Sequence, residues 1–168
     1  MIQKAIASCD PVIFLEPKRR YHERGAVQLD APALGLHEAS VARAGTDVTL
    51  ICWGPMVRTC LDAAAAAEKE GRSVEVVDVR SLQPLDFETI ARSVEHTSRA
   101  IIVHEAQRNY GPGAELAARL QEQLFYVMES PVLRVTGYDT PYPPSKLEAD
   151  WLPNLDRVLA AVDQSMGY

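Results

Sequence analysis

The sequence predicts an α/β fold of three layers, helix–sheet–helix, with a mainly parallel sheet of about five strands and one antiparallel edge strand. Two observations lead there. From Asp47 onward, short runs that are apolar at nearly every position alternate with segments whose apolar residues recur at helical spacing. Strands apolar on both faces belong in sheets covered on both sides, and their alternation with amphipathic helices implies right-handed β-α-β crossovers.

The elements follow in order. Residues 11–15 (PVIFL) form a short apolar run with the look of a strand. Residues 16–46 carry Pro17, the basic cluster Lys18-Arg19-Arg20, Gly25, Pro32, Gly35 and Gly45. They predict an irregular lead-in with room for one short edge strand. Val48 to Cys52 is a continuous apolar strand, and Gly54-Pro55 then opens a helix, since proline suits a first helical position. Val57, Cys60, Leu61 and Ala64 share one face of that helix, which should end near Gly71. Val74 to Val79 is the next strand, rich in β-branched residues. Asp86 can cap a helix bearing Phe87, Ile90, Ala91 and Val94 on one side. Ala100 to His104 is a third strand; the turn Gly111-Pro112-Gly113 and a helix with Leu116, Leu120 and Leu124 in line follow it. Val132 to Thr136 is the fourth strand of the series. Beyond a proline-rich break at 140–144, Ser145 to Glu148 has capping-box spacing. Asn154 can cap a last helix with Leu155, Val158, Leu159, Val162 and Met166 on one side. The expected organisation is one domain over 1–168, with 1–46 as lead-in and 47–168 as regular core.

Composition narrows the function classes. A chain of 168 residues, 47% hydrophobic and 24% charged, can bury an ordinary core. Its net charge of −6 argues against a nucleic-acid or anionic-membrane binder and suits a basic partner. Cys9, Cys52 and Cys60 form no CxxC pair and their number is odd, so a reducing, cytoplasmic setting is expected. The apolar runs are only strand-sized, too short to span a membrane.

Ligands of open α/β sheets favour the carboxyl ends of the strands. There stand Trp53-Gly54-Pro55, Asp78 to Leu82, His104 to Gln107 and Thr136 to Asp139. His104 beside Glu105 suggests acid–base work, but neighbours in a strand point to opposite faces. The simpler expectation is that they end a buried strand. Gly111-Pro112-Gly113 before a helix suggests anion binding and a nucleotide module. It is not a full GxGxxG, because Leu116 takes the last glycine's place and Pro112 has no N–H, so a tight turn is the better reading. His22, His37, His96 and His104 are scattered without zinc spacing. Cys52 and Cys60 read as core. Asp139 has no GxSxG elbow to serve. The cluster Lys18-Arg19-Arg20 with Tyr21 and His22 suggests phosphate binding, but it is short and flanked by Glu16 and Glu23, so a solvated or inter-subunit salt-bridge face is the better reading.

Six strings in order carry a resemblance: DPVIFLEPKRRY (10–21), GTDVTLICWGPMV (45–57), VVDVRSLQPLD (76–86), HEAQRNYGPGAE (104–115), PVLRVTGYDTPYPP (131–144) and LPNLDRVLAAV (152–162). Together they resemble the C-terminal, transketolase-like domain of the beta subunit in the decarboxylase component of 2-oxo-acid dehydrogenases. Glu16-Pro17-Lys18 leans toward the branched-chain (2-oxoisovalerate) type rather than the pyruvate type. The resemblance implies a role in thiamine-diphosphate- and magnesium-dependent oxidative decarboxylation with acyl transfer to a lipoyl group. It also implies that the cofactor sites lie elsewhere, on the alpha subunit and on an N-terminal pyrimidine-binding domain absent from this chain. No catalytic residue carries over, and the chain alone is expected to be inactive. The implied partners are the alpha subunit, a second beta subunit and the subunit-binding domain of the lipoyl acyltransferase. Two docking positions carry over: Glu129, in FYVMESP where the family pattern is FxxLDAP, and the C-terminal Tyr168. Ala5, Ser8 and Asp10 match half of a potassium site that relatives hold between domains, though no ion is expected here. Bare helix faces predict self-association.

Overall fold

The structure, a computed structural model, describes residues 1–25 and 34–168. Pro32, one of the breakers of the lead-in, lies outside the described residues. A short helix α1 (Ile2–Ile6) and a 3-10 turn at Lys18–Arg20 precede the sheet. Strands β1 (Ser40–Arg43), β2 (Val48–Cys52), β3 (Val74–Asp78), β4 (Ala100–Gln107) and β5 (Leu133–Gly137) form one sheet in the order β1-β3-β2-β4-β5. Among the strands of the described residues only β1, paired with β3, runs antiparallel. The expected edge strand of the lead-in is therefore β1.

Helices α2 (Met56–Glu68), α3 (Phe87–Thr97) and α4 (Pro112–Leu124) make the crossovers; α5 (Glu148–Trp151) and α6 (Leu155–Met166) close the chain. Alternate residues of each strand feed two cores, as the two-residue period of a strand requires. Leu50, Val76, Ile101 and Val103 pack under α2 and α6, with Cys60, Ala64, Val158 and Val162. Ile51, Val77 and Ile102 pack under α3 and α4, with Phe87, Ile90, Leu116 and Leu120. Most residues of the apolar faces read from the sequence are buried; Val57, Leu61, Ala91, Leu159 and Met166 are partly buried and packed against the cores, and Leu155 is exposed at the start of α6.

Two of the three expected caps form. Asp86 accepts a hydrogen bond from the Thr89 N–H at 3.1 Å, and Asn154 accepts from Arg157 N–H at 3.0 Å. Burial works against the Asp86 carboxylate, yet hydrogen bonds from Thr89 and Ala39 prevail and hold its pKa below the ordinary value.

Two expectations are corrected. Residues 11–15 form no strand and pair with none among the described residues. Ile13 and Leu15 are 89% and 81% exposed, so the run lacks the neighbouring ladder that would turn apolar sequence into sheet. Ser145 caps nothing: Ser145–Leu147 is itself a 3-10 turn after Pro144, and no side chain caps α5. The sequence around 145 is already helical, and a capping residue must stand outside the helix in extended backbone.

Candidate functional site

Strand order reverses beside β2, with β3 on one flank and β4 on the other, so the crevice for a ligand lies past the carboxyl ends of β2 and β4. Here that place is filled by the chain itself. His104 of β4 is 1% exposed, and its ring lies flat on the Trp53 indole, 5.1 Å between centroids and 10° between planes. The glycine turn closes over the imidazole. A Cβ at Gly113 would stand 2.4 Å from His104 Nε2, and one at Gly111 would stand 2.8 Å from Cε1. The two glycines thus give the ring room, which is a structural task and not a phosphate cradle. Neither ring nitrogen has a hydrogen-bond partner among the described residues. Burial, helped by the positive charge of Arg134, lowers the His104 pKa to about 4. The imidazole is therefore neutral at pH 7 and shut away from solvent, unsuited to acid–base exchange with a substrate.

Glu105 turns the other way, as the strand geometry anticipates, and forms an ion pair with Arg19. Arg20 pairs with Glu23 and donates to the Pro55 carbonyl. Arg19 and Arg20 are thus engaged within the chain itself, where an inter-subunit or solvated face was expected, and they strap the segment before residue 25 across the crevice. Between that strap, α2 and the α5–α6 junction lies a cavity of about 470 Å³ touching Arg19, Arg20, Met56, Thr59, Leu152 and Asn154. Nearby, Tyr142 donates to Glu148 and packs edge-on against Trp151, 5.0 Å between centroids. Burial and the Glu148 carboxylate push the Tyr142 phenol up to about 12.

The other chemical candidates lie apart from this crevice or serve as links between loops. Cys52 and Cys60 are fully buried, and contact with Cys60 together with burial pushes the Cys52 thiol well above its usual range. Asp139 accepts from the Asn109 N–H at 2.9 Å and so ties two loops together. Ala5 and Ser8 share one turn, with Ser8 N–H donating to Ala5 O at 3.3 Å, and Ser8 Oγ accepts from Asp10 N–H at 3.1 Å. Among the described residues no group of three or more His, Cys, Asp or Glu side chains converges as a metal set would. No helix of the described residues is long and apolar enough to cross a membrane.

Of the two docking candidates, Glu129 is tied to the last turn of α6, three residues before Tyr168, through a residue that sequence reasoning missed. Glu129 is 59% exposed and pairs with Arg99 at 2.5 Å; Arg99 Nε also donates to the Ser165 carbonyl in the last turn of α6 at 3.2 Å. Tyr168 is exposed and its hydroxyl accepts from Gln164 Nε2 at 3.4 Å. Arg99 carried no signal in the sequence: it occupies the two-residue joint between α3 and β4, where periodicity says nothing.

Known proteins identify the family of this fold. The profile of the transketolase C-terminal domain matches residues 37–158. The 3-methyl-2-oxobutanoate dehydrogenase subunit beta of Mycobacterium tuberculosis is 52% identical over 165 residues, covering 98% of this chain and 47% of that protein. The pyruvate dehydrogenase E1 component subunit beta of Leifsonia xyli subsp. xyli is 50% identical, covering 100% of this chain and 50% of that one. The chain thus spans about half the length of the curated relatives it matches. A solved split-gene transketolase, an inactive beta4 tetramer, superposes with a TM-score of 0.70 at 29% identity, covering 85% of this chain and 46% of that one. With the β1-β3-β2-β4-β5 sheet and a profile match over most of the chain, the conclusion is direct: the chain belongs to the transketolase C-terminal domain family.

Proposed function

We propose that this chain serves as the C-terminal association and docking domain of the beta subunit of a branched-chain 2-oxo-acid dehydrogenase. The parent reaction is oxidative decarboxylation of a branched-chain 2-oxo acid with acyl transfer to a lipoyl group, in the cytoplasm. Thiamine diphosphate and magnesium belong to the alpha subunit and to the half of the beta subunit that this chain does not span. The chain by itself does not decarboxylate. In this reading residues 1–46 are lead-in and 47–168 the working core. The observation that carries it is the contrast between two surfaces: the crevice where an α/β enzyme would react is plugged by Trp53, His104 and the glycine turn, while Glu129 and the end of α6 stand exposed.

The exposed surface suits a basic partner, and we assign it to the subunit-binding domain of the lipoyl acyltransferase. Phe125, Tyr126 and Val127, just before Glu129, are also exposed and supply apolar contact area. The alpha subunit and a second beta subunit are the other partners. The exposed Ile13 and Leu15 favour self-association of the isolated chain. The Ala5–Asp10 turn is one side of a potassium shell that an adjoining domain would complete.

The test is reconstitution. The chain, joined to the remaining half of its subunit and mixed with the alpha subunit, is expected to release CO2 from 2-oxoisovalerate, whereas the chain alone releases none. Decarboxylation by the isolated chain would overturn the reading. Faster turnover of pyruvate would favour the second reading, a pyruvate dehydrogenase beta subunit, which the 50% identity to the Leifsonia xyli protein supports.

A further inference from the structure

We propose that the cavity between α3 and the edge strand β1 binds a small zwitterion, an α-amino acid, whose ammonium group meets Glu75 and whose carboxylate meets Arg92. The site lies toward the amino end of β3, away from the crevice that Trp53 and His104 plug at the carboxyl ends of the strands.

Glu75 is a carboxylate in an apolar strand, only 6% exposed, beside Thr49, its register partner on β2. Ser93 and Thr97, buried in the last turn of α3, pack over the pair. Thr49 has a single hydroxyl proton to give. Thr97 Oγ1 at 2.7 Å, the Ser93 carbonyl at 3.1 Å and Glu75 Oε1 at 3.3 Å compete for it, and the carboxylate is the farthest of the three. No cationic side chain of the described residues forms an ion pair with Glu75. The carbonyls at the carboxyl end of α3 add negative potential. A buried carboxylate so placed is costly to the fold unless a cation or a strong donor reaches it.

The cavity onto which Glu75 opens has a volume of about 290 Å³ and is lined by Val41, Glu75, Thr89, Arg92, Ser93 and His96. That size is near the lower end for ligand pockets and suits a molecule of few atoms. Buried and exposed lining differ in sign. Glu75 and Ser93 are buried, whereas Arg92 and His96 are exposed. Arg92 donates to the Thr89 hydroxyl at 3.2 Å and forms an ion pair with no carboxylate of the described residues. Opposite charges thus line one small space without pairing with each other. A metal ion would satisfy Glu75 but meet the like charge of Arg92, and a simple anion would satisfy Arg92 but meet Glu75. A molecule that carries an ammonium and a carboxylate on one carbon answers both. Val41, where β1 slips register against β3, adds an apolar wall for a short side chain.

The test titrates the full chain with L-alanine, L-alaninamide and N-acetyl-L-alanine, followed by calorimetry and by the amide NMR shifts of Glu75 and of residues 89–97. Alanine should bind and move those resonances. Alaninamide, which lacks the carboxylate, and N-acetylalanine, which lacks the ammonium, should each bind roughly tenfold or more weakly. E75Q and R92A should each weaken alanine binding by a similar factor. R92A, at an exposed position, should leave alaninamide binding unchanged, a selective loss that misfolding does not produce, so it decides the matter even if E75Q fails to fold. No shift with alanine would overturn the proposal, as would either analogue binding as well as alanine. Tighter alanine binding by R92A would also overturn it, because Arg92 would then be a cover over Glu75 and not a group that reads the ligand.

Discussion

The Trp53 indole lies flat against the His104 imidazole, 5.1 Å between ring centroids and 10° between planes, at the point where the strand order of the sheet reverses. An aromatic stack thus occupies the place where open α/β sheets usually keep a ligand.

That stack makes stability depend on pH. The His104 pKa is about 4 in the fold against 6.5 for the unperturbed group. Between those values the unfolded chain binds more protons, so stability rises with pH through the window and is lost as pH falls from 6.5 toward 4. The gap is worth about 3 kcal/mol. In urea unfolding at pH 7 and pH 4.5, H104F, which keeps a ring but cannot titrate, should lose less stability than wild type. Equal losses in the two proteins would show that the imidazole does not govern the transition.

The glycine turn should tolerate no side chain. G113A places a methyl group against a buried ring, and such overpacking costs about 1–3 kcal/mol. G113A/H104A, which vacates the ring, should recover part of the G113A loss. Thermal melts of the three proteins decide this; a double variant no better than the sum of the singles would separate the turn from the ring.

Release of the strap should change dynamics more than stability. Exposed ion pairs contribute only about 0–1 kcal/mol, so R19A/R20A should melt within a few degrees of wild type. Amide exchange across residues 16–24 should nevertheless quicken severalfold, because Glu105 and the Pro55 carbonyl lose their partners. Unaltered protection of that segment would mean that the arginines do not hold it.

Thiol chemistry should divide one against two. Cys9 is exposed, whereas Cys52 and Cys60 are buried and Cys52 resists ionisation. Native protein should react with one equivalent of an alkylating reagent at pH 8 and with three after denaturation. Rapid modification of a second thiol in the native state would contradict the sealed core.

Much of this fold was legible because each core element advertises its period. Val48–Cys52 and Ala100–Ile102 are apolar at almost every position, and Leu116, Leu120 and Leu124 mark a single stripe. Asp86 and Asn154 announce helix starts because their carboxylate and amide oxygens satisfy free N–H groups. Pro11 to Leu15 misled because apolar sequence states a demand for burial without saying which surface meets it. The sites were less legible. His104 with Glu105 looked like a pair, but only the tertiary placement of Trp53, Gly111 and Gly113 reveals a ring enclosed on both sides. Arg99 joins residues 30 and 66 positions away, separations at which no local pattern speaks.

Because one imidazole touches Trp53 on one side and two side-chain-free positions on the other, substitutions at 53, 104, 111 and 113 cannot be judged singly. A bulkier residue at 111 or 113 becomes admissible only after position 104 has shrunk, and a smaller residue at 104 leaves the indole without support. The four sites should therefore drift as a block, so that variants tolerated in one sequence background fail when transplanted into another.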